Sequence, residues 1–162
     1  MELRFNDEEI SDIYMAAIMH DIGAIIFSDR MSLLDFEEKN AHNHAHLGAL
    51  LLSKFSPFNK FASLVRHHHT TWDYGQGKRS FGEMVPYASH IIHLADRIAV
   101  LLDRRKPIFS QVPYITRKVL KQSGSLFVPA FTDAFLKVSK SEAFWLDLVS
   151  PEGRRDPVYL HL

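Results

Sequence analysis

The most apolar stretch with helical spacing, residues 87–103, carries an acid in its middle. Ile91, Ile92, Leu94, Ala95, Ile98, Ala99, Leu101 and Leu102 leave little of the helix surface polar. That pattern predicts a helix at the centre of a bundle rather than on its surface. Asp96 then lies where a carboxylate is tolerated only with a cation or hydrogen bonds. Arg97 is one candidate partner, but adjacent residues on a helix diverge, so a metal ion is the better-placed one.

The remaining segments also read as helices. Asn6 and Glu9 have the spacing of a capping box, and Ile10, Ile13 and Ala17 continue a helix to about Gly23, a C-terminal stop. Residues 28–43 read as a loop with a short helical turn. A second helix starts near Asn43, with Leu47, Leu50, Leu51 and Phe55 on its apolar side, and Ser56-Pro57 breaks it. A third spans about 58–69, with Phe61, Ala62 and Val65 inward. Gly75, Gly77 and Gly82 mark a loop over 70–85, and Pro86 suits the first turn of the central helix. Further helices are expected over about 111–122, 129–139 and 141–149, where Phe131, Phe135, Phe144 and Trp145 are core residues. No β-branched run alternates with polar residues, so no strands are expected. The fold class is all-α, one domain over residues 1–150 with 151–162 as a polar, fraying tail.

Ten histidines fall into groups at 42, 44 and 46, at 67–69, and at 90 and 93, with single ones at 20 and 161. There is no cysteine, so any metal is held by imidazole, carboxylate and water, a set suited to iron, manganese, zinc or nickel. His20-Asp21 alone is equally well read as a helix-end histidine favoured by the helix dipole. His42 reads as a solvated residue at a helix start, whereas His44 is followed into a buried helix by Leu47 and Gly48. Of His67-His68-His69, two can face neighbouring metals if the helix ends there. Helix bundles commonly build dinuclear centres from such imidazoles and carboxylates on several helices.

His20-Asp21-Ile22-Gly23, His44-x-x-x-Gly48, Arg66-His67-His68-His69, Pro86 and Ala95-Asp96 occur in the order and spacing of the HD superfamily. The chain resembles most its HD-GYP branch, over about residues 10–105, and residues 111–150 resemble the C-terminal helices of related bacterial signalling proteins. The resemblance implies a helical bundle around a central site of two or three divalent transition metals. It implies iron or manganese, with zinc, nickel or magnesium as the other candidates. It implies metal ligation by His20, Asp21, His44, His68, His69 and Asp96, with Asp21 as the bridging ligand and catalytic residue. Its substrate would be cyclic di-GMP, another cyclic dinucleotide or a related small phosphate ester.

The departures are specific. Ala24 stands where the family has the lysine of HDIGK, expected to touch substrate phosphate. Thr70 stands where the family has a glutamate. Asp73 survives, but no Gly-Tyr-Pro follows it. No histidine precedes His20, where the superfamily usually has one: either that helix is missing, or the chain is a region of a longer protein with further domains, or the site lacks one ligand. Asp73, Lys78 and Arg97 are the candidate substrate contacts. Two functions follow from this pattern: a metal-dependent phosphodiesterase, or a catalytically impaired regulatory module that keeps its metal.

Nineteen basic and nineteen acidic residues argue against non-specific nucleic-acid binding. The acidic N-terminus is not a signal peptide, and no apolar stretch approaches the roughly 20 residues of a membrane helix. A cytoplasmic protein is expected, with a second copy or sensory and receiver domains as partners.

Overall fold

The computed structural model describes residues 5–25 and 41–150. The expected loop over 28–43, for the most part, and the expected tail over 151–162 lie outside these residues. Among the described residues the order is α1 (Asp7–Met19), α2 (Ala41–Ser53), a 3-10 turn (Ser56–Phe61), α3 (Ala62–Arg66), a second 3-10 turn (Asp73–Lys78), β1 (Arg79–Ser80), β2 (Glu83–Met84), α4 (Ser89–Leu101), α5 (Ile108–Lys121), α6 (Pro129–Val138) and α7 (Glu142–Val149).

The capping box forms. Asn6 Oδ1 accepts from the Glu9 amide at 2.9 Å, and Glu9 Oε2 accepts from the Asn6 amide at 2.8 Å. The helix ends at Met19 rather than Gly23, so His20 to Gly23 is a turn. That turn frees His20 and Asp21 from helical register.

The central position of α4 follows from two apolar clusters. Ile92 joins Ala16, Leu52, Phe61 and Val65 on one side. Leu94 and Ile98 join Ile115, Val119, Phe127, Phe131, Phe135 and Trp145 on the other. The helix therefore links both halves of the core. It is not enclosed all round, since Ala95 and Ala99 face solvent.

α2 presents a different face from the one its leucines suggest. Leu47 and Leu50 are exposed, as is Phe55 beyond the helix. Ala45, Gly48, Ala49 and Leu52 are buried instead. Small residues on that face let α2 approach its neighbours closely, and close packing outweighs the larger area of the leucines. His44 lies four residues before Gly48 and is turned inward with it.

The closest approach is at Gly23. A Cβ there would overlap the His44 carbonyl oxygen and the Gly48 amide nitrogen, both backbone atoms. Gly23→Ala must push the turn away from α2, and such overpacking costs about 1–3 kcal/mol. A lowered Tm together with reduced metal content is expected, because Asp21 moves with the turn. An unchanged Tm would show that the contact is dispensable.

The expectation of no strands needs one correction. Arg79 pairs with Met84 and Ser80 with Glu83 in a minimal antiparallel hairpin. Its two-residue turn, Phe81-Gly82, has positive φ at both positions (51° and 81°), the geometry that matches hairpin twist.

Candidate metal centre

Four elements deliver side chains to one place: the turn after α1 (His20, Asp21), α2 (His44), the end of α3 (His68, His69) and α4 (Asp96). Ligand atoms of Asp21, His44, His68 and His69 all lie within 4.8 Å of one another. His44 Nε2 is 3.4 Å from His68 Nε2 and 3.0 Å from His69 Nε2. Asp21 Oδ1 is 3.4 Å from His44 Nε2 and 3.9 Å from His68 Nε2. Asp21 Oδ2 turns the other way, 3.2 Å from His20 Nε2, which in turn lies 3.7 Å from Asp96 Oδ1. One carboxylate thus stands between two groups of ligands.

Local backbone fixes the ring orientations. His20 Nδ1 donates to the Ala17 carbonyl and His68 Nδ1 to the Val65 carbonyl, both at 2.6 Å. A carbonyl only accepts, so each Nδ1 carries a proton and each Nε2 is aimed at the centre. Metal-bound histidines are typically oriented by such an outer contact. Burial, with neighbouring cationic rings, pushes the His68 pKa down to about 3. Burial likewise holds His69 well below the ordinary imidazole range. Both rings are therefore neutral donors near pH 7.

Charge at the centre calls for a cation. Burial alone would lower the His20 pKa, but the Asp21 and Asp96 carboxylates beside its ring raise it to about 10. Burial opposes ionisation of Asp21, yet the His20 and His44 contacts hold it well below the usual carboxylate range. A proton on His20 answers the two carboxylates in the metal-free centre, and a divalent cation would displace it. His20 Nε2 and Asp21 Oδ1 are buried without a hydrogen-bond partner, positions that a metal ion satisfies. Imidazole nitrogens and carboxylate oxygens are the donors of a divalent metal site. The cluster can hold such a metal.

Among the described residues Asp21 is the most exposed of the candidate ligands. The Asp21 side chain is 39% exposed, against 3% for His44 and 0% for His68.

The candidate substrate contacts are placed differently from one another. Arg97 is buried, and its Nε and Nη2 bind Asp96 Oδ2 at 3.1 and 2.6 Å. The side chains of these neighbours bend together although their Cα–Cβ bonds diverge. Arg97 therefore orients Asp96 and leaves Oδ1 toward the centre, rather than offering a free guanidinium to phosphate. Asp73 is exposed, with its amide bonded to the Ser125 carbonyl at 2.7 Å. Lys78 Nζ stands 5.5 Å above the Trp72 ring. Trp72 itself packs edge-on to His90 and Tyr87.

Sequence reasoning left His90 and His93 without a role, and His67 as one of a triplet; all three are buried. For His90 and His93, the available signal is the three-residue spacing His90, His93, Asp96 on the most apolar helix. His42 is exposed and sits edge-on to Phe81, 5.7 Å between ring centres. His42→Ala is therefore expected to leave metal content unchanged while His44→Ala lowers it sharply. The reverse order, by elemental analysis, would mean that α2 is rotated from this register.

Known proteins bear on this arrangement. The chain is 31% identical over 149 residues to a cyclic di-GMP phosphodiesterase of Thermotoga maritima, covering 86% of this chain and 40% of that protein. It is 26% identical over 157 residues to the 3'3'-cGAMP-specific phosphodiesterase 1 of Vibrio cholerae, covering 90% and 35%. It is 31% identical over 146 residues to the cyclic di-GMP phosphodiesterase response regulator RpfG of Xanthomonas campestris pv. campestris, covering 84% and 38%. The chain thus spans 35–40% of the length of these relatives. The HD domain family model matches residues 1–101, more than half of the sequence and every candidate ligand of the centre. By that match, and with the His-Asp pair of its turn at the middle of a helical bundle, the chain belongs to the HD domain family.

Proposed function

We propose that the chain is a metal-dependent phosphodiesterase that opens a cyclic dinucleotide in bacterial signalling, using two or three iron or manganese ions. The observation that carries this reading is Asp21, whose two oxygens face separate ligand groups. Asp21 is the bridging ligand, with His20, His44, His68, His69 and Asp96 completing the set. Bound divalent metals would supply an activated water and neutralise phosphate charge. The protein orients His20 and His68 through helix carbonyls, holds Asp96 through Arg97, and leaves Asp21 the most exposed of the candidate ligands. Asp73 and Lys78 remain the proposed substrate contacts. The substrate class follows the activities for which the relatives are named, and a second copy or sensory and receiver domains would be partners. Among the described residues no helix is long and apolar enough to cross a membrane, in keeping with the proposed cytoplasmic setting.

A second reading has one observation in its favour. Ala24 is buried at the position of the family's phosphate-contacting lysine. The domain would then keep its metal and serve as a regulatory module. Chromatography of cyclic di-GMP and 3'3'-cGAMP after incubation with iron- or manganese-loaded protein separates the two. Conversion to linear products, lost in Asp21→Ala, is the expected result. Folded, metal-loaded protein that leaves both nucleotides intact would favour the regulatory module.

A further inference from the structure

We propose that His90 is a positioning residue: from the first turn of α4 it holds the loop over residues 70–78, which carries the proposed substrate contacts Asp73 and Lys78. What the loop does for substrate rests on the phosphodiesterase reading; that His90 holds it does not.

His90 is 1% exposed. A buried imidazole needs partners for its polar atoms, and the loop supplies them. Its Nδ1 lies 3.0 Å from the Thr70 carbonyl. A carbonyl only accepts, so Nδ1 carries the proton and donates it. The Gly77 carbonyl is a second backbone acceptor at the ring. Residues near both ends of the loop thus meet at one side chain. Trp72, between them, stands edge-on to His90 at 5.5 Å between ring centres. The loop needs such fixing. Asp73 and Tyr74 have positive φ (43° and 53°), a region unfavourable to residues with a Cβ. Their amides donate to the Ser125 and Gly124 carbonyls, both at 2.7 Å. A strained backbone persists only where surrounding contacts over-determine it. Residues 124 and 125 supply those contacts in the middle of the loop, and His90 supplies them at Thr70 and Gly77.

Hydrogen exchange of the full chain, read by mass spectrometry, tests this assignment. His90→Ala removes the donor, whereas His90→Asn keeps an N–H near the place of Nδ1. In His90→Ala, exchange over residues 72–77 is expected to rise about 3- to 10-fold, with α1 and α7 unchanged. His90→Asn is expected to restore most of the protection. An unmoved loop, a uniform rise across the helices, or no rescue by asparagine would overturn the proposal. Should His90→Ala fail to fold, proton NMR of the wild-type chain decides. A slowly exchanging His90 Nδ1 proton with Overhauser contacts to Trp72 supports the bond, and its absence refutes it. Cyclic di-GMP binding by manganese-loaded protein then reads the purpose of the loop. Weaker binding by His90→Ala at unchanged metal content is expected, and equal binding would refute the positioning role. Wild-type protein that binds no nucleotide would sink the phosphodiesterase reading, while the exchange result still decides whether His90 holds the loop.

Discussion

Asp21→Ala is expected to strip the centre of metal, weakening binding by more than about 100-fold. Losing a partner that merely orients a ligand already lowers affinity about 10- to 100-fold, and Asp21 stands among the ligands themselves. Its Oδ1 lies within 4 Å of His44 and His68 nitrogens, and its Oδ2 within 4 Å of His20. One substitution therefore removes the group that joins the two halves of the site. It also removes one of the two acids that hold the His20 pKa at about 10, so His20 should titrate closer to the ordinary imidazole range. Asp21→Asn keeps the size and separates charge from packing. The check is metal content by elemental analysis beside a circular dichroism spectrum. A folded Asp21→Ala protein that retains its full metal complement would show that the centre is built on other residues.

Trp145→Ala is expected to be the most damaging change to stability, at about 3–5 kcal/mol. Trp145 is 1% exposed, and its indole nitrogen donates to the Ser139 carbonyl at 2.7 Å. Its ring stands edge-on to Phe135 and Phe144 at 6.1 and 5.1 Å between centres. Truncation leaves a cavity under α7 and an unanswered carbonyl at the end of α6. For a chain of this length the loss corresponds to roughly 10 °C in Tm. The metal ligands belong with the other apolar cluster, so folded protein at low temperature should keep its metal. A drop of only about 2 °C by thermal melt would mean that α7 does not close this core.

These two residues also show how far the sequence could be read. The aromatic positions of α6 and α7 were legible because helical periodicity survives where large side chains fill the space. The same reading failed on α2. Leu47 and Leu50 outweigh Ala45, Gly48 and Ala49 on any scale of transfer energy, yet the small residues are inside. Close approach of Gly23 and Gly48 decides the rotation, and a hydrophobicity count does not register it. Arg97 failed for a related reason: adjacency on a helix separates Cα–Cβ bonds, but long side chains can still converge.

The sequence by itself determined the helical class, the central place of α4, the restriction to nitrogen and oxygen ligands, and the motif residues of the site. These follow from periodicity and residue type, which are local properties of the chain. Only the tertiary structure decided that Asp21 stands between two ligand groups, that Arg97 is bound to Asp96, and that His93 is buried beside His69 with an unanswered nitrogen. These depend on helix rotation, interhelical distance and side-chain rotamers, which are set jointly by residues far apart in the chain.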